Sequence, residues 1–408
     1  MPKVLVTDAS ERASLAVIRS LGKRKIDVAA ADCTHFNIGF LSKYCGRRFL
    51  YPSPELEKSN FVKAMLNLVK SDSFDLLIPI SDLVMIPIIE RRDDFEKYTK
   101  VAAPDYSTAI KAMDKIETLK IAIQQQISCP ETMLGEEVDN VQKLSKDLAY
   151  PVVIRPRMKV SWIGDKAVIL KVTSNNYAFN PGDFVSKWKK LVNILEKVGL
   201  RKDFLMISRF VQGEGYGVEV LLHDGAPKAV FMHRRLREYP ATGGASTLRE
   251  SVKDNGLAQI GIRMLRAMDW EGVAMVEFRV DAHTRRPELI EVNGRFWGSL
   301  PLAIDSGVDF PYLLYKSMVN EEDFHHPSYQ VGFKQRWLAG DILWLCSSLA
   351  NGARIASSIK KFLLSWNVPD DIMTLDDMNP VSGQILFALN ILTQVVEGHR
   401  SLTGEVIP

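Results

Sequence analysis

Residues 272–281 read GVAMVEFRVD and residues 287–299 read PELIEVNGRFWGS, two acidic strands joined by the short polar turn AHTRR. Alternate residues of a strand share a face, so Glu291 and Asn293 point the same way. A hairpin symmetric about Thr284 sets Glu277 directly across from Glu291, with Cβ atoms roughly 4.5–5.5 Å apart, where like charges repel. A cation between them resolves the repulsion. Two carboxylates and an amide oxygen are hard ligands, and they suit Mg²⁺ completed by water and phosphate. Ala274, Val276, Phe278 and Val280, with Ile290 and Val292, are expected to form the opposite, apolar face. The alternative is a solvated acidic face with Arg279 and Arg295 as counter-ions.

The chain has 408 residues, enough for two or three domains, and its 46% hydrophobic and 25% charged residues are those of a globular protein. A formal net charge of +3 gives no electrostatic case for nucleic acid, and no dense Lys/Arg block or aromatic platform is present. MPKVLVTDAS at the start reads as a first strand rather than a signal peptide. No apolar run reaches the ~18 residues of a membrane span, so the cytoplasm is the expected compartment. Cys33, Cys45, Cys129 and Cys346 are scattered without a CxxC pair and are expected to be reduced thiols.

Working outward, Lys3 to Thr7, Arg12 to Leu21 and Val28 to Ala31 open as a βαβ unit, and Phe61 to Lys70 and Leu76 to Ile80 continue it. The turn TDASERAS lacks GxGxxG, which disfavours a tightly held dinucleotide. A long helix is expected from Tyr106 to Gln126, followed by an α+β segment containing the strands PVVIRP and AVILKV. SNNYAFNPGD is read as a surface loop, and Phe184 to Val198 as a helix. Asp224-Gly225 marks a hairpin between two further strands. HRRLREYPATGGAST, residues 233–247, reads as a basic, glycine-rich loop able to close over an anion. Beyond Pro311 the chain is expected to be mostly helical, with apolar faces on Gly340 to Leu349, Ile355 to Trp366 and Gly383 to Val395. These faces suit the body of the protein, a second subunit in a homodimer, or a membrane surface beside Lys360, Lys361 and Trp366.

The order of a strand with Arg before Pro, a loop, a strand ending in a glycine turn, and an acidic hairpin with Glu and Glu-x-Asn-x-Arg resembles the ATP-grasp superfamily. More narrowly it is similar to carboxylate-amine ligases related to the large subunit of carbamoyl phosphate synthetase. The resemblance runs from the first strand to about Lys316. It implies an α/β and α+β chain: an N-terminal doubly wound pre-ATP-grasp domain over 1–110, a lid subdomain with its leading helix over 111–205, a core subdomain over 206–320, and a helical extension over 321–408. It also implies ATP with Mg²⁺, or Mn²⁺ in its place, and small-molecule carboxylate and amine substrates joined through an acyl phosphate.

Residue by residue, the resemblance implies that Glu277, Glu291 and Asn293 hold the metal and that Arg295 holds a phosphate or the substrate carboxylate. Lys115 in MDKIETLK and Arg155 in VVIRPR take the two basic positions that contact phosphate. The lid, RMKVSWIGDKA, has one glycine where the family has several, leaving Lys159 or Ser161 as the phosphate contacts. Ser208 and Arg209 stand where a glutamate usually precedes the adenine hinge, which puts adenine on the backbone of Phe210 and Val211. The ribose acid is Glu214 or Glu219. His233, Arg234, Arg235 and Arg237 precede Gly243-Gly244, where the anionic acceptor or acyl phosphate is expected to be gripped, with Arg234 and Arg237 as the chosen pair. His233 is expected to be structural, and His325 and His326 to have no metal role. Competing readings are a kinase-like phosphotransferase and a non-catalytic nucleotide-binding module.

Overall fold

The structure is a computed structural model that describes residues 2–240, 243–322, 327–350 and 355–397. The chain opens with β1 (Lys3–Val6), α1 (Arg12–Lys23), β2 (Asp27–Asp32), α2 (Ile38–Leu41), β3 (Arg47–Leu50), α3 (Lys58–Asp72), β4 (Leu76–Ile78), α4 (Asp82–Ile89), α5 (Arg92–Phe95) and β5 (Lys100–Val101). Its strands form a parallel sheet in the order β3-β2-β1-β4-β5. Strand order reverses between β1 and β4, and such reversals leave a crevice beyond the carboxyl ends of the strands. Asp8 follows β1, and Ser81 caps α4 after β4 by accepting from the Val84 N–H.

The expected helix over 106–126 is two helices, α6 (Tyr106–Met113) and α7 (Lys115–Gln124). Asp114 breaks it: its backbone is extended, and its carboxylate accepts from the Ile116 N–H. Then follow β6 (Thr132–Leu134), α8 (Val141–Asp147), β7 (Val152–Pro156), β8 (Val160–Ile163), β9 (Lys166–Ile169), β10 (Tyr177–Ala178), α9 (Pro181–Lys197) and β11 (Leu205–Arg209). A sheet in the order β10-β7-β11-β6 packs beneath α8 and α9, while β8 and β9 pair only with each other. The expected surface loop SNNYAFNPGD departs from expectation at Tyr177 and Ala178, which are buried as β10 against Val153 and Val152. α9 starts after it, where Asn180 accepts from the Asp183 N–H and Pro181 fills the first turn.

The third sheet uses β12 (Gly213–His223), β13 (Ala226–Tyr239), β14 (Ala245–Ser251), then, after α10 (Asn255–Ala267), β15 (Gly272–Asp281) and β16 (Pro287–Asn293). α11 (Leu300–Ser306), α12 (Phe310–Tyr315), β17 (Lys334–Arg336), α13 (Leu338–Ala350), α14 (Ile355–Leu363) and α15 (Pro380–Val396) complete the chain. Its order is β16-β15-β12-β13-β14-β17, wholly antiparallel. The segment read as a closing loop over 233–247 is largely strand: His233 to Tyr239 prolong β13, paired with β14. Likewise the C-terminal part is not only helical, because β17 extends this sheet.

Both faces of the third sheet are covered. Val218, Val220, Ala274, Val276, Phe278, Leu289 and Val292 pack under α10. Leu221, Phe231, Val273 and Met275 of the other face share a core with β1, β2, α1, α11 and α12. That shared core brings the carboxyl ends of the parallel sheet beside the acidic hairpin. Among the described residues, no helix is long and apolar enough to cross a membrane. All four cysteines are free thiols. His325 and His326 lie outside the described residues.

Candidate functional site

β15 and β16 set Glu277 opposite Glu291 and Met275 opposite Asn293, the register of a hairpin symmetric about Thr284. A bulge after Glu277 then shifts the pairing, so Leu289 instead of Ile290 enters the apolar core. Ile290, expected in the core, lines the cleft, and its carbonyl accepts from Arg155 at 3.2 Å. The cleft has a volume of about 630 Å³, within the ~300–1,000 Å³ usual for small-molecule sites. Its walls come from all three large sheets and from the β8–β9 hairpin.

The two carboxylates have separate cations. Arg235 Nη2 lies 2.6 Å from Glu277, and Lys159 Nζ lies 2.7 Å from Glu291. Asn293 bridges them, donating to Glu277 at 2.8 Å and to Glu291 at 3.3 Å. Its amide oxygen accepts from Lys159 at 2.9 Å, so the ammonium sits on a carboxylate and an amide oxygen together. The Glu291–Asn293 position thus accommodates a cation, here the Lys159 ammonium. The donor set, two carboxylates and one amide oxygen, suits Mg²⁺.

Lys115 opens α7 just past the Asp114 break and reaches to 3.9 Å from Glu291. Arg157 clamps Asp114 in turn, fixing that break. Burial pushes the Lys115 ammonium down to about 8, although Glu291 works to raise it. Burial works to raise Glu291, but Lys159 and Lys115 outweigh it and hold the carboxyl well below the usual range. Arg155 is buried, donates to Ser208 at 3.0 Å, and stands on the same wall as Phe210 and Val211. Lys115, Arg155, Lys159, Phe210 and Val211 all line the cleft.

Ser161, Glu214, Glu219, Arg234 and Arg237 do not line it. Ser161 pairs through its backbone with Val168, and the alternation of β8 turns Val160 to the cleft instead. Glu214 faces outward beside Arg234, at 3.7 Å, while Gly215 lines the wall. Arg234 is held by Glu250 at 2.8 Å on that outer face. Arg237 is shifted by irregular pairing in β13 and turned toward the C-terminal helices, 3.1 Å from Asp341 and stacked on Trp344. Strand alternation selects Arg235 instead.

Glu219 is fully buried away from the cleft, accepting from His233 Nδ1 at 2.5 Å. Gly217 makes room for that pair: a Cβ there would stand 2.5 Å from His233 Cε1 and 2.6 Å from Glu219 Oε1. Arg295 lines the cleft and is paired across the shared core with Asp82 at 2.9 Å. Burial works to raise Asp82, and Arg295 and Lys159 outweigh it, keeping the carboxyl below its ordinary range.

Three residues outside the chosen site set line the same space. Arg235 was named in the basic run but passed over for Arg234 and Arg237, and its parity with Gly217 and Glu277 in the sheet distinguishes it. Arg279, taken as a plain counter-ion, joins Arg235 through Glu238, at 2.7 Å and 3.2 Å respectively. Asp8, with φ of 52°, accepts from Thr7 and from the Ser81 hydroxyl and N–H. Burial pushes its carboxyl up to about 6 against those hydrogen bonds.

The three clasping layers, the acidic hairpin and the small lid hairpin define the ATP-grasp fold. Residues 201–340 match the family model described as ATP-grasp in the biosynthetic pathway with Ter operon. The chain is 22% identical over 228 residues to the carbamoyl phosphate synthase large chain of Pyrococcus furiosus, covering 53% of this chain. It spans only 20% of the length of that curated relative. In three dimensions it is similar to a biotin carboxylase from Campylobacter jejuni, solved as a β,γ-ATP complex. There the TM-score is 0.60, with 14% identity over 81% of this chain and 74% of the other. It is also similar to an L-amino acid ligase from Bacillus licheniformis, with a TM-score of 0.58 and 13% identity over 81% of this chain and 75% of that one.

Proposed function

We propose that the protein is an ATP- and Mg²⁺-dependent ligase that joins a carboxylate to an amine, or to a thiol, through an acyl phosphate. The observation that carries this reading is the pairing of Glu277 with Glu291, bridged by Asn293, facing Lys115, Arg155 and Lys159 in one cleft. The domain limits near residues 110, 205 and 320 belong to the same proposal.

Glu277, Glu291 and Asn293 would hold the metal, which when bound neutralises charge between the transferred and leaving phosphate oxygens. Phosphoryl transfer needs positioning and charge neutralisation more than covalent help. Lys115 and Arg155 place two positive charges on the phosphates from different walls. Lys159, which holds Glu291 and Asn293, stands within the same cleft and would add a third positive charge for the phosphates once a divalent cation neutralised Glu291. Phe210 and Val211 offer backbone and an apolar surface to the base. A substrate carboxylate oxygen, held by Arg295 or by the Arg235–Glu238–Arg279 group, attacks the γ-phosphorus as the bond to the β-phosphate oxygen breaks. ADP departs with that electron pair. The amine nitrogen then attacks the acyl carbon, inorganic phosphate leaves, and the nitrogen gives up a proton.

Incubation with ATP, Mg²⁺ and pooled acids and amines, followed for ADP, phosphate and product mass, tests the proposal. Phosphate release that requires both an acid and an amine, with an amide formed, supports it. A stable phosphorylated product without free phosphate replaces it with the phosphotransferase reading. No turnover with any pool leaves a nucleotide-binding module. A homodimer built on the exposed Ile385, Leu386 and Leu389 of α15 is part of the proposal, and light scattering that gives a monomer mass removes it.

A further inference from the structure

The β8–β9 hairpin has no sheet neighbour, and a lone two-stranded hairpin is marginal in water. It is nevertheless fastened at both ends. At its root, the Leu170 N–H donates to the Lys159 carbonyl at 2.8 Å while the Lys159 ammonium holds Glu291 and Asn293. At its tip, it reaches across to the segment that leads into α3.

The tip contacts join backbone and side chains. The Ala167 N–H donates to the Glu55 carbonyl at 2.7 Å, and the Lys58 N–H to the Asp165 carbonyl at 3.1 Å. Trp162 Nε1 donates to the Pro54 carbonyl at 3.4 Å, and the Lys58 ammonium lies 4.9 Å from the centre of the Trp162 ring. Asp165 Oδ1 accepts from the Ser59 N–H at 2.7 Å and from its hydroxyl at 2.6 Å. Glu57, at the N-cap position of α3, makes no side-chain cap of its own. The first turn of that helix has orphan N–H groups, and Asp165, more than 100 positions later in the chain, satisfies two of them, Lys58 through its carbonyl and Ser59 through its carboxylate.

We infer that Asp165 is a positioning residue that clasps the lid to the N-terminal sheet, holding Lys159 over the acidic pair and setting how fast nucleotide enters and leaves. This inference rests on the nucleotide-binding reading of the cleft. It also accounts for a lid with one glycine. A glycine-rich lid folds over phosphate with its own amides, whereas this hairpin is held by its tip to a helix on another layer.

Asp165 is exposed, so its replacement leaves the cores intact. Three proteins suffice: wild type, Asp165→Ala, and Asp165→Asn, which retains a capping oxygen. Hydrogen exchange on the ligand-free proteins reads the clasp without nucleotide. The Ser59 and Ala167 amides are expected to exchange about five- to tenfold faster in Asp165→Ala, the range for losing an N-cap, and near the wild-type rate in Asp165→Asn. Stopped-flow binding of a fluorescent ATP analogue with Mg²⁺ reads the gate. Association and dissociation are both expected to accelerate several-fold in Asp165→Ala, with a smaller change in Kd, and to return in Asp165→Asn. Equal exchange in wild type and Asp165→Ala overturns the clasp. Faster exchange with unchanged nucleotide rates overturns the gating role. If wild type binds no nucleotide while the exchange difference remains, the nucleotide reading fails and the gate fails with it.

Discussion

Glu277 and Glu291 stand directly opposite each other on neighbouring strands, yet each is neutralised by a different cation, Arg235 for one and Lys159 for the other. Arg235 is anchored on a central strand by Glu238 as well, while Lys159 lies at the root of the lid. The pair is therefore fixed on one side and exchangeable on the other. Replacing Glu291 with Gln keeps the size and removes the charge. Turnover is expected to fall about 10²- to 10³-fold, the range for losing one group of a preorganised electrostatic site. Steady-state kinetics across a Mg²⁺ titration checks this, and unchanged activity at every Mg²⁺ level refutes the metal assignment.

Lys115 gives the site a pH dependence. Its folded pKa of about 8 lies below the ordinary lysine value of 10.5. Between those values the unfolded chain carries the extra proton, so this group adds stability as pH rises through that window. Binding runs the other way, because phosphate needs the charged form. ATP affinity is expected to fall as pH rises above about 8, with proton uptake on binding visible by calorimetry in buffers of different ionisation enthalpy. Lys115→Arg, which stays charged, is expected to abolish that fall.

Arg234 and Arg235 are adjacent in the chain and opposite in role. Arg235→Ala leaves Glu277 and Glu238 without their shared cation inside the cleft, and kcat/KM is expected to fall at least about tenfold. Arg234→Ala removes a half-exposed pair with Glu250, worth ~0–1 kcal/mol, and is expected to keep activity within about twofold. Equal losses from the two variants would contradict the strand parity.

The C-terminal segment is tied to the rest through Asp371. Its carboxylate is fully buried between Arg249, which it contacts closely, and Arg12 at 2.6 Å. Asp371→Ala strands the buried Arg249 guanidinium and the partly buried one of Arg12, and breaking a buried pair costs about 3–5 kcal/mol. The loss is expected as a lower urea midpoint. Replacing Arg249 with Met in the same protein is expected to recover part of it, since an apolar replacement removes the unpaired charge as well.

The acidic positions of the hairpin were legible because they obey one local rule. Period-two alternation and a short polar turn place Glu277, Glu291 and Asn293 on one face, and nothing distant competes with that register. Lys115 and Arg155 were legible only through resemblance to a family, since a lysine opening a helix and an arginine ending a strand look ordinary in isolation. The errors share a cause. Ile290 and Arg237 follow the alternation until bulges in β15–β16 and β13 break it, and a bulge depends on the partner strand. Glu219 sits in a strand of the expected kind, but Gly217 lets His233 lean onto it and draws it inward.

By itself, the sequence determined the elements whose causes are local: the parallel βαβ opening, the turn at Asp224-Gly225, the acidic register and the scattered cysteines. Tertiary structure decided which of several equivalent side chains faces the cleft, that Arg295 meets Asp82, and that Asp165 caps a helix more than 100 residues earlier in the chain. These choices come from packing three sheets around a common core. A charge finds its partner there through space, and its spacing along the chain carries no record of that distance.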